Sequence, residues 1–154
     1  MSLYNSLIYP HLSYCQIVWG AACPTTLKPL VTIQKRIIRT ILGLRKYDHT
    51  NEGFLNLKLL KLNHINVYCC CLFIFKWLHT PGNEIFNFRV NQRYNIRRNN
   101  MLDVPFMRSD QSQTSISYHG PVLWNDLPEG IRNCNSLHSF KRSLKQHLIS
   151  QYTT

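Results

Sequence analysis

The chain has 154 residues, enough for one domain or for one domain with an appendage. It is 44% hydrophobic and 12% aromatic, which excludes a wholly disordered chain, and it carries a formal charge of +11 from 18 Lys and Arg against seven Asp and Glu. That excess favours polyanions, either nucleic acid or an anionic membrane surface, although a basic protein with no dedicated partner has the same composition.

The first segment, SLYNSLIYPHLSYCQIVWG, places Leu3, Leu7, Ile8, Leu12, Cys15 and Trp19 at helical spacing, which predicts a helix over residues 2 to 20. Pro10 kinks or restarts it, because proline removes a backbone donor and clashes with the preceding turn. The segment lacks the basic start and clean apolar run of a secretory signal, and Cys69, Cys70 and Cys71 stand side by side, where disulfide geometry is hard to meet. Free thiols in an intracellular compartment, cytoplasmic or nuclear and not secreted, are therefore expected.

A second helix is predicted from Thr25 or Thr26, both good N-caps, to about Leu42, with Gly43 as its stop. Leu30, Ile33, Ile37 and Ile41 share one face of it. Lys28, Lys35 and Arg39 share the opposite face with Arg36 beside them, and Arg45 and Lys46 follow in the loop. On the helix face itself, none of Lys28, Lys35, Arg36 and Arg39 has an acid three or four residues further on. Faces kept only for solubility are usually mixed in sign, so this row is a candidate phosphate-contacting face as well as a solvated one.

Thr50 is placed to cap a short helix through Leu57, and Asn63 to cap an apolar helix that ends near His79, before Thr80-Pro81-Gly82. This apolar run, with Asn66 and Lys76 inside it, is shorter than the roughly 20 residues a membrane span needs, so a buried helix is expected and no membrane partner. Its cysteines should act as small inert hydrophobes.

Beyond residue 82 the composition changes. NFRVNQRYNIRRNNMLDVPF puts Phe88, Val90, Tyr94 and Ile96 on one parity and Asn and Arg on the other, the pattern of a strand with a basic face, although asparagine suits a loop equally. Leu102, Val104 and Phe106 alternate again, as do Ile116 and Tyr118, so two or three short strands are expected near residues 87 to 118. Gly120 then gives the chain freedom to turn, a short helix is expected at Trp124, and Ser136 caps a last helix. There Leu137, Phe140, Leu144 and Leu148 form the apolar stripe, and Lys141, Arg142 and Lys145 lie outside it. Trp124 is read as a core anchor packing the strands on the last helix, with a base-stacking platform as the sharper alternative.

Catalytic chemistry is poorly provided for. The seven carboxylates do not pair on any predicted face, no phosphate loop or nucleophile elbow is present, and Cys134 with His138 lacks a second ligand pair for zinc. No catalytic residue, metal or cofactor is expected.

Three blocks carry a family resemblance. Leu3, Tyr4, Ser6, Leu7, Pro10, His11, Leu12, Tyr14, Trp19 and Gly20 follow the L-Y-x-S-L-x-x-P-H-L-x-Y-G-x-x-x-W-G pattern that trails the polymerase core of non-LTR (LINE-type, jockey-like) retrotransposon reverse transcriptases. Cys15 stands where that pattern has glycine. Gln34, Lys35, Ile38 and Arg39 resemble the family's Q-K-x-x-I-R helix. Gly120, Trp124, Asn125, Leu127, Pro128, Phe140, Lys141, Leu144 and Lys145 resemble its C-terminal signature.

The resemblance covers nearly the whole chain and implies the thumb-like helical region plus C-terminal extension of such an RNA-directed DNA polymerase. The catalytic aspartates and palm domain would lie upstream, with Met1 an internal or gene-model start. The expected architecture is mostly α, in an α+β arrangement. A helical thumb-like bundle over residues 1 to 82 precedes a C-terminal extension over 83 to 154, with a small two- or three-stranded β unit and a terminal helix. The expected function is non-catalytic binding of RNA or primer-template through Lys28, Lys35, Arg36, Arg39, Arg45 and Lys46. Arg97, Arg98, Lys141, Arg142 and Lys145 would form a second patch. Trp19, Gly120, Trp124 and Phe140 are expected to be structural anchors. The missing palm would be a partner, and the isolated chain would self-associate through its first helix. The alternative is a protein-interaction remnant that has lost its nucleic-acid role.

Overall fold

The computed structural model describes residues 2–80, 88–90 and 100–152. The chain packs as two units, one of Met1–Asn66 with Lys145–Thr154 and one of Val67–Leu144. Both are helical.

In the first unit the predicted opening helix is broken twice. A π-helical turn, Tyr4–Ile8, gives way to α1, Tyr9–Ser13, with Pro10 in its first turn, where a missing N–H costs nothing. Tyr14 is extended and Cys15 is left-handed at φ 50° before α2, Gln16–Trp19. The Trp19 indole N–H closes this second break by donating to the Tyr14 carbonyl at 2.7 Å.

Helix α3 runs Pro24–Leu42, starting ahead of both threonines, because Pro24 is already set for a first helical position. Gly43 ends it at φ 65°, and Leu44 N–H returns to the Arg39 carbonyl at 2.9 Å, a Schellman closure. The buried residues of α3 are Leu27, Gln34 and Ile38. The stripe expected from hydrophobicity is rotated from this line, and Ile33 and Ile41 are exposed at 49% and 41%. The cause is Gln34, a polar side chain occupying a core position.

Its amide N–H group donates to Tyr4 Oη at 3.0 Å and to the Leu60 carbonyl at 2.9 Å, and its Oε1 accepts from Leu62 N–H at 2.9 Å. Leu62 is the first residue of α5, Leu62–His79, so α3 supplies the cap that was assigned to Asn63. Helix α4, Asn51–Asn56, approaches α3 at Gly53, where an added Cβ would lie 2.6 Å from Leu42 Cδ1. Tyr4, Ile38, Phe54, Leu59 and Tyr152 form the core beneath.

The second unit contains α5 from Val67 onward. Cys70, Cys71, Ile74 and Phe75 are buried there. Burial pushes the Cys69 thiol up, and the Cys71 thiol further, which disfavours reactive thiolates. No helix of the described residues is long and apolar enough to cross a membrane.

The expected β unit is absent among the described residues. One isolated antiparallel bridge joins Val90 to Leu102, with Asp103 N–H donating to the Arg89 carbonyl at 2.8 Å. Residues 91–99, which hold much of the alternating segment together with Arg97 and Arg98, lie outside the described residues. After the short α6, Asp110–Gln113, the alternating Ile116 and Tyr118 belong to α7, Ile116–Asn125. Three residues of alternation are too few to separate period two from the flank of a helix.

Gly120 is therefore no turn. It lies inside α7, where an added Cβ would meet Ile116 and Ile74 side chains at 3.0 Å. Glycine also leaves no Cβ to clash with the ring of Pro121 that follows, which lets the helix continue across an X-Pro step. Helix α8, Glu129–Arg132, leads to α9, Leu137–Ser150, whose first turn is capped by Ser136 Oγ accepting from Ser139 N–H at 3.2 Å.

Candidate nucleic-acid interface

The first unit holds nine Lys and Arg against two carboxylates, Asp48 and Glu52, a difference of seven charges. Helix α3 carries the densest part of this excess. Lys28 and Lys35 stand two turns apart, about 10 Å along the axis, and are exposed, as is Arg36. They flank the buried line rather than oppose it. Lys28 precedes Pro29 and follows Leu27, and Lys35 follows Gln34, each a step of one residue from the core.

Arg39 differs from the others. It is half-buried, and its Nε–H donates to the Asp48 carbonyl at 3.1 Å. Asp48 Oδ2 in turn accepts from Arg45 N–H at 2.8 Å, so Arg39 holds the turn that presents Arg45 and Lys46. Both of these are exposed. Lys46 Nζ lies 5.6 Å from the ring centroid of Tyr47, a residue 86% exposed, which sets a cation and an open aromatic face at the tip of the loop. Tyr47 was not singled out from the sequence, where nothing distinguishes it from the other seven tyrosines.

A further lysine also escaped sequence reasoning. Lys61 sits between Leu60 and Leu62, the two residues that Gln34 holds. Its Nζ lies 4.1 Å from the Tyr152 ring centroid and its backbone N–H donates to Tyr152 Oη at 2.9 Å. Partial burial, and after it the charge of Lys35, push the Lys61 ammonium below its usual value. Burial pushes the Tyr152 phenol up to about 12, so it stays protonated and supplies no countercharge.

On α9, Lys141, Arg142 and Lys145 are exposed along the side away from the buried Phe140, Leu144 and Leu148. Phe140 is fully buried and stacks on Phe75, with centroids 4.4 Å apart. Trp124 is also fully buried, 5.7 Å from Phe140, and its indole N–H donates to the Asn100 carbonyl at 2.7 Å. Its ring faces are covered by the core, so a base could reach them only if the unit opened. Trp19 is half-buried and committed to Tyr14.

The opening segment exposes Leu3, Leu7, Tyr14 and Val18, while Leu12 is buried and Ile8 half-buried; Tyr47 and Phe106 are exposed further along the chain. Among the described residues no group of three or more His, Cys, Asp or Glu could hold a metal ion. A cavity of about 400 Å³ lined by Phe88, Arg89, Asp103, Pro105, Met107 and Ser117 carries one carboxylate and no histidine or cysteine. No protein-family model matches the chain, and no curated protein or solved structure matches it.

Proposed function

We propose that the chain is a non-catalytic nucleic-acid-binding module, the post-palm C-terminal part of a non-LTR retrotransposon reverse transcriptase. It would grip the phosphate backbone of RNA or of a primer-template through Lys28, Lys35, Arg36, Arg45 and Lys46, with Lys141, Arg142 and Lys145 as a second set. The observation that carries this reading is the unbalanced charge of the first unit, displayed on exposed side chains along α3 and its following loop. Contacts of this kind fix position and carry no base information, so binding would be strong, salt-sensitive and indifferent to sequence.

The family part of the reading is supported by where the resembling residues fall. Tyr4, Gln34, Gly120, Trp124, Phe140 and Leu144 are all buried, and Tyr4, Gln34, Trp124 and Asn125 are bonded across the fold, so their identities are constrained by packing. The parent polymerase would supply the metal-binding carboxylates from its palm. The test is to assay the purified chain for binding of a structured RNA and a duplex DNA, and for template-dependent nucleotide incorporation. Binding without incorporation is expected; incorporation surviving removal of contaminating polymerase would overturn the non-catalytic assignment.

A second reading, a protein-interaction module, is favoured by the exposed Leu3, Leu7, Tyr14 and Val18. It predicts self-association and no affinity for nucleic acid at low salt.

A further inference from the structure

Two like charges drawn together by a folded scaffold, with no carboxylate between them, destabilise the free protein and favour an incoming anion. Lys35 and Lys61 meet that description. They are 26 positions apart in the chain, and one side chain joins their neighbourhoods. Gln34, next to Lys35, bonds to Leu60 and Leu62 on either side of Lys61. Gln34 is 1% exposed and its bonds to Leu60 and Leu62 are internal, so the backbone that carries Lys61 is tied to the helix that carries Lys35.

Tyr152 then lies under the Lys61 ammonium and receives its backbone N–H, which limits where the lysine can swing. Of the unit's two carboxylates, Asp48 is engaged in the loop after α3 and Glu52 stands in the first turn of α4. Lys61 also immediately precedes the first residue of α5, where the helix end adds its own partial positive charge.

We propose that Lys35 and Lys61 converge on a single backbone phosphodiester of the bound nucleic acid, with Tyr152 as the floor beneath it. The inference rests on the nucleic-acid reading above and adds to it a residue, Lys61, that the exposed face of α3 does not include. It also fixes a stoichiometry, two ammoniums to one phosphate, which separates it from a diffuse basic surface.

The experiment is a salt titration of the full chain with an RNA hairpin and with a DNA duplex, for wild type, Lys35→Gln, Lys61→Gln and the double variant. Lys61→Arg serves as the charge-keeping variant and the remote Lys76→Gln as the control. If both lysines hold one phosphate, either alone still neutralises it. Each single change should weaken binding while leaving the slope of log affinity against log salt nearly intact. The double change should flatten the slope by roughly 0.7 to 0.9, one contact's worth. Lys61→Arg and Lys76→Gln should keep the wild-type slope.

An unchanged slope in the double variant, with wild-type binding intact, would overturn the pair and leave the wider surface standing. Full and additive flattening by each single change would show two separate phosphates and overturn the shared site. No binding by wild type at low salt would remove the nucleic-acid reading and this inference with it. Thermal melts of each variant separate lost contacts from lost folding.

Discussion

The side-chain amide of Asn125 pairs with both backbone groups of Leu102: its Nδ2 donates to the Leu102 carbonyl at 2.8 Å and its Oδ1 accepts from Leu102 N–H at 2.8 Å. The neighbouring Trp124 indole holds Asn100 in the same way from one side. Together the two residues at the end of α7 do for this extended segment what a partner strand would do, satisfying backbone groups that would otherwise be left unpaired. An extended segment can therefore be ordered here without a sheet, and the adjacency of tryptophan and asparagine has a physical cause.

Asn125→Asp should expose that cause. A carboxylate keeps the acceptor for Leu102 N–H but loses the donor and faces the Leu102 carbonyl with negative charge. A loss of about 1 to 3 kcal/mol is expected, the usual cost of a buried group left without its partner. Urea unfolding checks it, and a variant as stable as wild type would show the clamp to be dispensable.

Gln34 invites a similar change with a different readout. Gln34→Leu preserves volume but strands Tyr4 Oη, the Leu60 carbonyl and the first N–H of α5, so a loss of about 2 to 4 kcal/mol is expected. Hydrogen exchange should show Leu62 N–H losing protection before the rest of α5. Uniform protection across that helix would contradict the assignment of Gln34 as its cap.

Much of this architecture could be seen in the sequence, and the limits have physical reasons. Gly43 and Ser136 act within a residue or two of their own helix ends, so local chemistry revealed them. Gln34 and Asn125 act on residues 28 and 23 positions away, and no local pattern reports such a partner. Hydrophobic periodicity misplaced the buried face of α3 because it treats every polar residue as solvent-facing, and Gln34 is not. Short alternation misread Ile116 and Tyr118 as strand. Of the candidate interface, the α3 row was legible as a run of charge. Lys61 was not, because its proposed role comes from what the fold sets beside it.

Cys15 is held at φ 50°, a conformation that costs an ordinary L-residue roughly 1 to 2 kcal/mol and glycine almost nothing. Glycine also gives the unfolded chain more freedom, which offsets part of that gain. Cys15→Gly should therefore leave stability unchanged or raise it by up to about 1 kcal/mol, while Cys15→Val lowers it. Thermal melts of the two variants test this. A marked loss with glycine would mean that the thiol makes a contribution beyond the backbone geometry.

Burial pushes His64 and His119 below the usual 6.5. Between that value and their lower folded values the unfolded chain binds more protons than the folded one, so stability rises with pH across that window. The contribution is fully present above 6.5 and is lost as pH falls through the folded values. His64 has a particular reason to resist protonation, since its Nδ1 is buried without a hydrogen-bond partner. Unfolding curves just above neutrality and at mildly acid pH should show the acid loss, and His64→Gln should reduce it. An equal loss in the variant would assign the effect elsewhere.

The central proposal is that this chain holds a phosphate backbone, and the slope of wild-type affinity against salt tests it most directly. With at least four of the exposed α3, loop and α9 cations engaged, log affinity for a structured RNA should fall linearly with log salt, with a slope of magnitude roughly 3 or more. The slope should be the same for unrelated sequences, because phosphates are alike in all of them. An affinity that does not change with salt, or no binding at low salt, would contradict the account.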